Sequence, residues 1–170
     1  MDLGACINFY NADITRDYPH NGTFNQKQKE IYELVLKCNK TIIDMIKPDL
    51  TIKDLQEKTK EILAEGLIKL GIINTKEELS KYYFHSVSHH LGLDTHDPMD
   101  RKTPLKAGNV ITVEPGLYIE ELGIGIRIED DVLVTSNGSE CLSKDIIKEV
   151  SEIENEHDVN KIVAILKNNI

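Results

Sequence analysis

Two capped amphipathic helices set one after the other, with strand-forming sequence on both sides, restrict the fold of this chain most. Asn25 followed three residues later by Gln28 forms an N-cap with its reciprocal partner. Behind it Ile31, Leu34, Val35, Cys38, Ile42 and Met45 recur at helical spacing, which predicts a long helix to about Lys47 that Pro48 ends. Thr51 with Asp54 caps a second helix bearing Leu55, Ile62, Leu63, Leu67 and Leu70, and Gly71 is a natural residue for its C-terminal end. Both apolar stripes read as core. Thr75 with Glu78 predicts a short helical turn.

The flanks read as β-structure. Loose alternation predicts a hairpin with strands near Leu3–Tyr10 and Asp13–Tyr18, interrupted at Gly4 and Asn11-Ala12 and closed by a turn at Pro19–Gly22. After the helices come a turn at Pro104–Gly108, a β-rich segment from Asn109 to Glu120, another from Ile124 to Thr135, and a turn at Ser136-Asn137-Gly138. The tail from Asp158 to Ile170 places Ile162, Val163, Ile165 and Leu166 on a helical face. Strands flanking two long helices predict an α+β domain with a curved, largely antiparallel sheet. At 170 residues the chain is long enough for one domain with a sizeable core.

Composition excludes some functions. A net charge of −9 argues against a broad basic face for nucleic acid. No apolar run is long enough to span a membrane and the opening residues do not read as a secretory signal, so a cytoplasmic location is expected. Cys6, Cys38 and Cys141 are odd in number and widely spaced, which predicts reduced thiols.

Four of the six histidines, His85, His89, His90 and His96, fall in one stretch ending at Asp97. Such a cluster can be surface polarity or core filling, so its meaning depends on acidic partners elsewhere. Glu114 in Ile111-Thr112-Val113-Glu114-Pro115-Gly116 and Glu129 in Gly125-Ile126-Arg127-Ile128-Glu129-Asp130-Asp131 are acids embedded in apolar, strand-like runs. Burying a lone carboxylate costs several kcal/mol unless it is paired or binds a metal. Alternation puts Arg127 and Glu129 on one strand face, so a buried Arg–Glu pair accounts for Glu129 as well as a metal does. Asp2 and Asp13 lie at the starts of the two hairpin strands, where a hairpin can bring them side by side; strand ends also carry aspartate for no special reason. Taken together, Asp, Asp, His, Glu and Glu form an oxygen-rich set suited to two divalent ions, with hardness favouring manganese, iron or cobalt. Two ions ~3.5–4 Å apart can share a hydroxide and polarise a carbonyl, which is hydrolase chemistry.

These motifs resemble the pita-bread metallopeptidases and, within them, the aminopeptidase P and prolidase branch. Asp2-Leu3-Gly4 with Asp13-Ile14-Thr15-Arg16, the run Ser88 to Asp97, Thr112 to Tyr118 and Gly125 to Asp131 match the family's ligand motifs in order, over residues 2 to about 150. Methionine aminopeptidases share the ligand order; the runs Glu114 to Tyr118 and Gly125 to Asp131 favour the X-Pro-cleaving branch, and the Asp13-to-Leu36 stretch leans to aminopeptidase P. The resemblance implies a pita-bread fold and makes Asp2, Asp13, His89, Glu114 and Glu129 the metal ligands, with Asp13 and Glu129 bridging. It implies two divalent ions, manganese first, with cobalt, iron or zinc as alternatives. A hydroxide between them would cleave the bond between an N-terminal residue and a following proline, with Glu114 shuttling the proton. His85 and His96 would hold substrate and stabilise the oxyanion, and Arg127 would order Glu129. His90 has no implied role, and His20 and His157 fall outside the motifs. A prolidase acting on X-Pro dipeptides, or an inactive peptide-binding remnant, are the alternatives. Family members carry sequence before the first ligand, so residues 1–170 are expected to form a partial catalytic domain whose uncovered apolar surface favours a homo-oligomer. Asp17 stands where the family commonly has a hydroxyl residue, adding negative charge close to Asp13.

Overall fold

The computed structural model describes residues 1–98 and 100–156, so the expected helical face at Ile162–Leu166, and His157, lie outside the described residues. Helix α1 spans Gln26–Met45 and α2 spans Ile52–Lys69, and both open on the expected capping boxes, Asn25 with Gln28 and Thr51 with Asp54. Between them Asp49 takes the left-handed conformation (φ +73°), which aspartate tolerates better than bulky residues. Ile31, Val35, Cys38 and Ile42 on α1, with Leu55, Thr59, Leu63 and Leu67 on α2, are completely buried. Each such aliphatic side chain contributes ~1.5–3 kcal/mol by leaving water. The Thr75–Glu78 signal becomes a 3-10 turn over Lys76–Lys81.

The opening segment is a hairpin, with its turn in a different place. Strands β1 (Asp2–Leu3), β2 (Cys6–Ile7), β3 (Tyr10–Asn11) and β4 (Ile14–Thr15) pair as β1 with β4 and β2 with β3. The two-residue turn is Asn8-Phe9, both at positive φ (+50° and +71°), as the right-handed twist of a tight hairpin demands. Asn11-Ala12 is instead part of the ladder's irregular middle, where Ala12 N–H donates to Ala5 O. Gly4 is required there: a Cβ would lie 1.6 Å from Ala12 O.

The two expected β-segments each break in the middle. Val110–Val113 (β5) pairs with Asp130–Val134 (β8), and Gly116–Ile119 (β6) pairs with Ile124–Arg127 (β7), all antiparallel. Ser139–Cys141 forms β9, which joins β8 across the Ser136–Gly138 turn and was not expected. The interruption falls at Glu114-Pro115, opposite Ile128-Glu129. Proline has no N–H to give the ladder. Buried Asn39 of α1 fills the gap, its amide donating to Val113 O (3.1 Å) and Ile128 O (3.3 Å). A short helix α3, Val150–Glu156, packs against α1. Among the described residues no helix is long and apolar enough to cross a membrane.

Candidate metal centre

Three extended pieces meet at the strand break. The histidine stretch runs antiparallel to β5: Leu91 N–H donates to Val110 O, Thr112 N–H to His89 O and Glu114 N–H to Val87 O. The hairpin reaches the other side, where Glu129 N–H donates to Thr15 O. The expected ligands thus arrive from separate regions of the chain. Asp2 faces Thr15 across the β1–β4 ladder, and Asp13, two residues before Thr15, is its diagonal neighbour.

Ligand atoms of Asp2, Asp13 and Glu129 lie within 4.8 Å of one another, as do those of His89, Glu114 and Glu129, and those of Asp13, His89 and His96. The three groups overlap through Asp13, His89 and Glu129. Such a concentration of acids, held together by β-structure, fits divalent cations better than it fits bare carboxylates, which repel. His89 is held neutral, with one ring nitrogen turned to the acids. Its Nδ1 lies 3.0 Å from His90 O, to which it donates, leaving Nε2 to face Asp13 Oδ2 at 3.5 Å and Glu114 Oε1 at 3.6 Å. His90, without expected chemistry, contributes that carbonyl.

Burial and mutual repulsion raise the carboxyls of Asp13, Glu114 and Glu129 in this cluster. Burial pushes Glu114 up to about 7 and Glu129 up to about 8, with Asp13 and Asp2 adding to both. Burial, then Asp2, also raises Asp13 above the ordinary carboxylate range. Burial lowers His85, His89 and His90.

A pH dependence follows for the metal-free chain. Folding keeps protons on Glu114 and Glu129 that the unfolded chain releases above about pH 4.5, so their contribution is full at low pH and is lost as pH rises through about 7–8. The imidazoles act in the opposite sense, but that change is complete once pH passes the ordinary value of 6.5. The thermal midpoint of the chelated chain should therefore fall between about pH 6.5 and 8 and level off above that, and manganese should restore it most strongly at the upper end of that window. A midpoint that ignores both pH and metal in that range would refute the cluster as a cation site.

Around these acids sits a network the sequence only partly announced. Arg127 and Glu129 form no direct ion pair among the described residues. Instead Thr15 mediates: its hydroxyl donates to Glu129 Oε2 (2.7 Å) and accepts from Arg127 Nε (3.1 Å). Arg127 Nη2 pairs with Asp2 (2.6 Å), and Nη1 donates to Tyr118 Oη (3.3 Å), which lies 3.0 Å from His85 Nε2. His85 Nδ1 is bonded to Ser86 O and lies 3.9 Å from Glu114. Arg127 therefore ties Asp2, Thr15 and Tyr118 together. The Asp17 carboxylate accepts the Arg127 backbone N–H at 2.7 Å. Asp131 was also missed; one oxygen accepts Asp13 N–H, while the other has no hydrogen-bond partner among the described residues. His96 is exposed, with its ring 4.2 Å from that of His89, closer to the ligand atoms than a purely substrate-side group needs to be. His85, His89, His96 and Glu114 line a cleft of about 390 Å³ together with Arg101 and Asp97. His20 is exposed and is not among the residues lining it.

The sequence profile of metallopeptidase family M24 matches residues 1–136. The Xaa-Pro aminopeptidase of Haemophilus influenzae is 40% identical over 174 residues, covering 91% of this chain and 40% of that protein. The Xaa-Pro dipeptidase of Pyrococcus furiosus is 43% identical over 148 residues, 85% of this chain and 39% of that protein. A Bacillus anthracis structure described as a candidate aminopeptidase P superposes with a TM-score of 0.90 at 57% identity, covering 94% of this chain and 39% of that one. The α+β pita-bread architecture expected from the motifs is thus the fold observed. The chain spans about 40% of the length of the curated relatives it matches.

Proposed function

Because the chain belongs to metallopeptidase family M24, we propose that it carries the metal centre of an aminopeptidase that removes an N-terminal residue preceding proline. The observation that carries this reading is the overlap of three ligand groups on Asp13, His89 and Glu129. Asp2, Asp13, His89, Glu114 and Glu129 would hold two divalent ions, with Asp13 and Glu129 shared between them. The donor set is one imidazole among carboxylates, which supports manganese, with cobalt, iron or zinc able to substitute. When bound, the ions supply Lewis-acid polarisation of a peptide carbonyl and of water at neutral pH.

The chain's own residues do the rest. Glu114, which lines the cleft 3.6 Å from His89 Nε2, takes a proton from the attacking water and returns it to the departing proline nitrogen. His85 and His96 line the cleft beside it and would hold the substrate; both His85 ring nitrogens are already engaged, with Ser86 O and Tyr118 Oη, so His96 is left to donate toward the carbonyl oxygen as negative charge develops. Tyr118 and Arg127 hold His85 and Asp2 in place, and Thr15 orients Glu129. The free thiols of Cys6, Cys38 and Cys141 support a reducing, cytoplasmic setting.

The Pyrococcus dipeptidase supports a second reading, hydrolysis of X-Pro dipeptides. Substrate length separates the two. With manganese added, release of the first residue from an X-Pro-Y tripeptide and its loss on chelation are the expected results. Cleavage confined to X-Pro would favour the dipeptidase, and tight metal binding without turnover of either would refute the enzyme.

A further inference from the structure

A second groove of about 570 Å³ adjoins the metal-centre cleft; Phe84, Tyr118 and Ile124 supply apolar and aromatic surface to it, and Lys81, Glu120 and Glu121 also line it. The two share a wall. His85 lines the cleft and Tyr118 lines the groove, and their rings meet edge-on with centroids 5.5 Å apart. Phe84 continues that wall outward, its ring 5.2 Å from Tyr118 at an interplanar angle of 32° and 6.4 Å from His85. It is 69% exposed although its neighbours Tyr82 and Tyr83 are buried. The segment carrying it is not loose, because Tyr118 N–H donates to Tyr82 O at 2.9 Å and so fastens it to β6. A fixed aromatic face kept in water beside a cleft is suited to take apolar surface from a ligand.

The peptide's direction says which residue comes here. Only one residue precedes the bond an aminopeptidase cuts, so anything bound away from that bond on a longer peptide lies downstream of it. An extended peptide advances ~3.3–3.6 Å per residue, and Phe84 stands one imidazole ring beyond the group facing Glu114. The residue that reaches it follows proline. The geometry points to the Phe84–Tyr118 groove as a specificity subsite for an apolar or aromatic side chain at the third position of an X-Pro-Y peptide. This rests on the hydrolytic reading given above for the peptide's orientation, and it explains how the same centre would favour tripeptides over X-Pro dipeptides.

The test compares binding and cleavage of Ala-Pro-Phe and Ala-Pro-Gly by the manganese-loaded chain. The wild-type chain should bind and cleave Ala-Pro-Phe about tenfold better, the size of effect an apolar pocket supplies. Phe84→Ala should bring the two peptides level, Phe84→Leu should keep most of the preference, and Phe9→Ala, on the exposed hairpin turn, should leave it unchanged. Since Phe84 is largely exposed, these substitutions leave the core intact, which circular dichroism checks. Equal binding of the two peptides by the wild-type chain, a preference that survives in Phe84→Ala, or no binding of either peptide would each overturn the subsite. Preferential binding without any cleavage would leave the subsite standing and remove the hydrolytic reading instead.

Discussion

Replacing Glu114 with glutamine should lower turnover of an X-Pro-Y peptide by about 10²–10⁴-fold, the usual contribution of a positioned proton carrier. The substitution is nearly isosteric, and the backbone bond from Glu114 N–H to Val87 O (2.8 Å) does not involve the side chain. The change therefore removes a titratable group without removing the strand break that positions it. A carboxylate can accept a proton and return it, whereas glutamine can do neither. Because Glu114 also belongs to the His89–Glu114–Glu129 group, bound metal must be quantified in the same preparation. A variant that keeps its metal and more than about a tenth of the wild-type rate would rule out the proton-shuttle role. A variant that loses metal and rate in proportion would assign Glu114 to metal binding alone.

The largest effect on stability should come from Arg16, which carries no proposed chemistry. Arg16→Ala is expected to cost about 3–5 kcal/mol, the penalty for leaving one partner of a buried pair uncompensated. At ~2–4 °C per kcal/mol for a chain of this size, the thermal midpoint should drop by about 10 °C. The side chain is 3% exposed, and its guanidinium donates to Thr15 O, Glu129 O, Ile146 O, Ile147 O and Asp130 Oδ1. Asp130 is fully buried and also receives Ser143 and Lys148, both at 2.6 Å. Burial alone would raise Asp130, but Lys148 and Arg16 outweigh it and hold its carboxyl below the ordinary value of 3.8. A depressed carboxylate contributes stability above its unfolded pKa and loses it as pH falls, so this cluster works at neutral pH and fails in acid. Denaturant unfolding of Arg16→Ala beside Lys58→Ala is the comparison to make. Lys58 pairs with Glu61 on the surface of α2, where loss should be within about 1 kcal/mol. A cost for Arg16 no larger than that would show that Lys148 and Ser143 satisfy Asp130 without it.

Local signals were reliable wherever the interaction is local. The capping boxes at Asn25 and Thr51 join residues three apart, so sequence contains both halves of each bond. The apolar stripes of α1 and α2 needed only helical period. The hairpin was legible but its turn was not, because Asn8-Phe9 lacks the glycine that usually marks two positive φ values. The interruption of the later strands was written as Glu114-Pro115, yet its alignment with Ile128-Glu129 depends on pairing across the ladder.

Residue types and order along the chain therefore determined the helices, the fold class and the list Asp2, Asp13, His89, Glu114, Glu129, because capping, periodicity and motif spacing are properties of one strand of sequence. Tertiary structure alone decided how those residues meet. It placed Thr15 rather than an Arg–Glu pair between Arg127 and Glu129. It turned His90 into the carbonyl that orients His89, used Asn39 to fill the broken ladder, and moved Asp17 onto the Arg127 backbone. Each of these is a hydrogen bond between groups distant in sequence or carried by the backbone, and such a partner is chosen by which segments pack together.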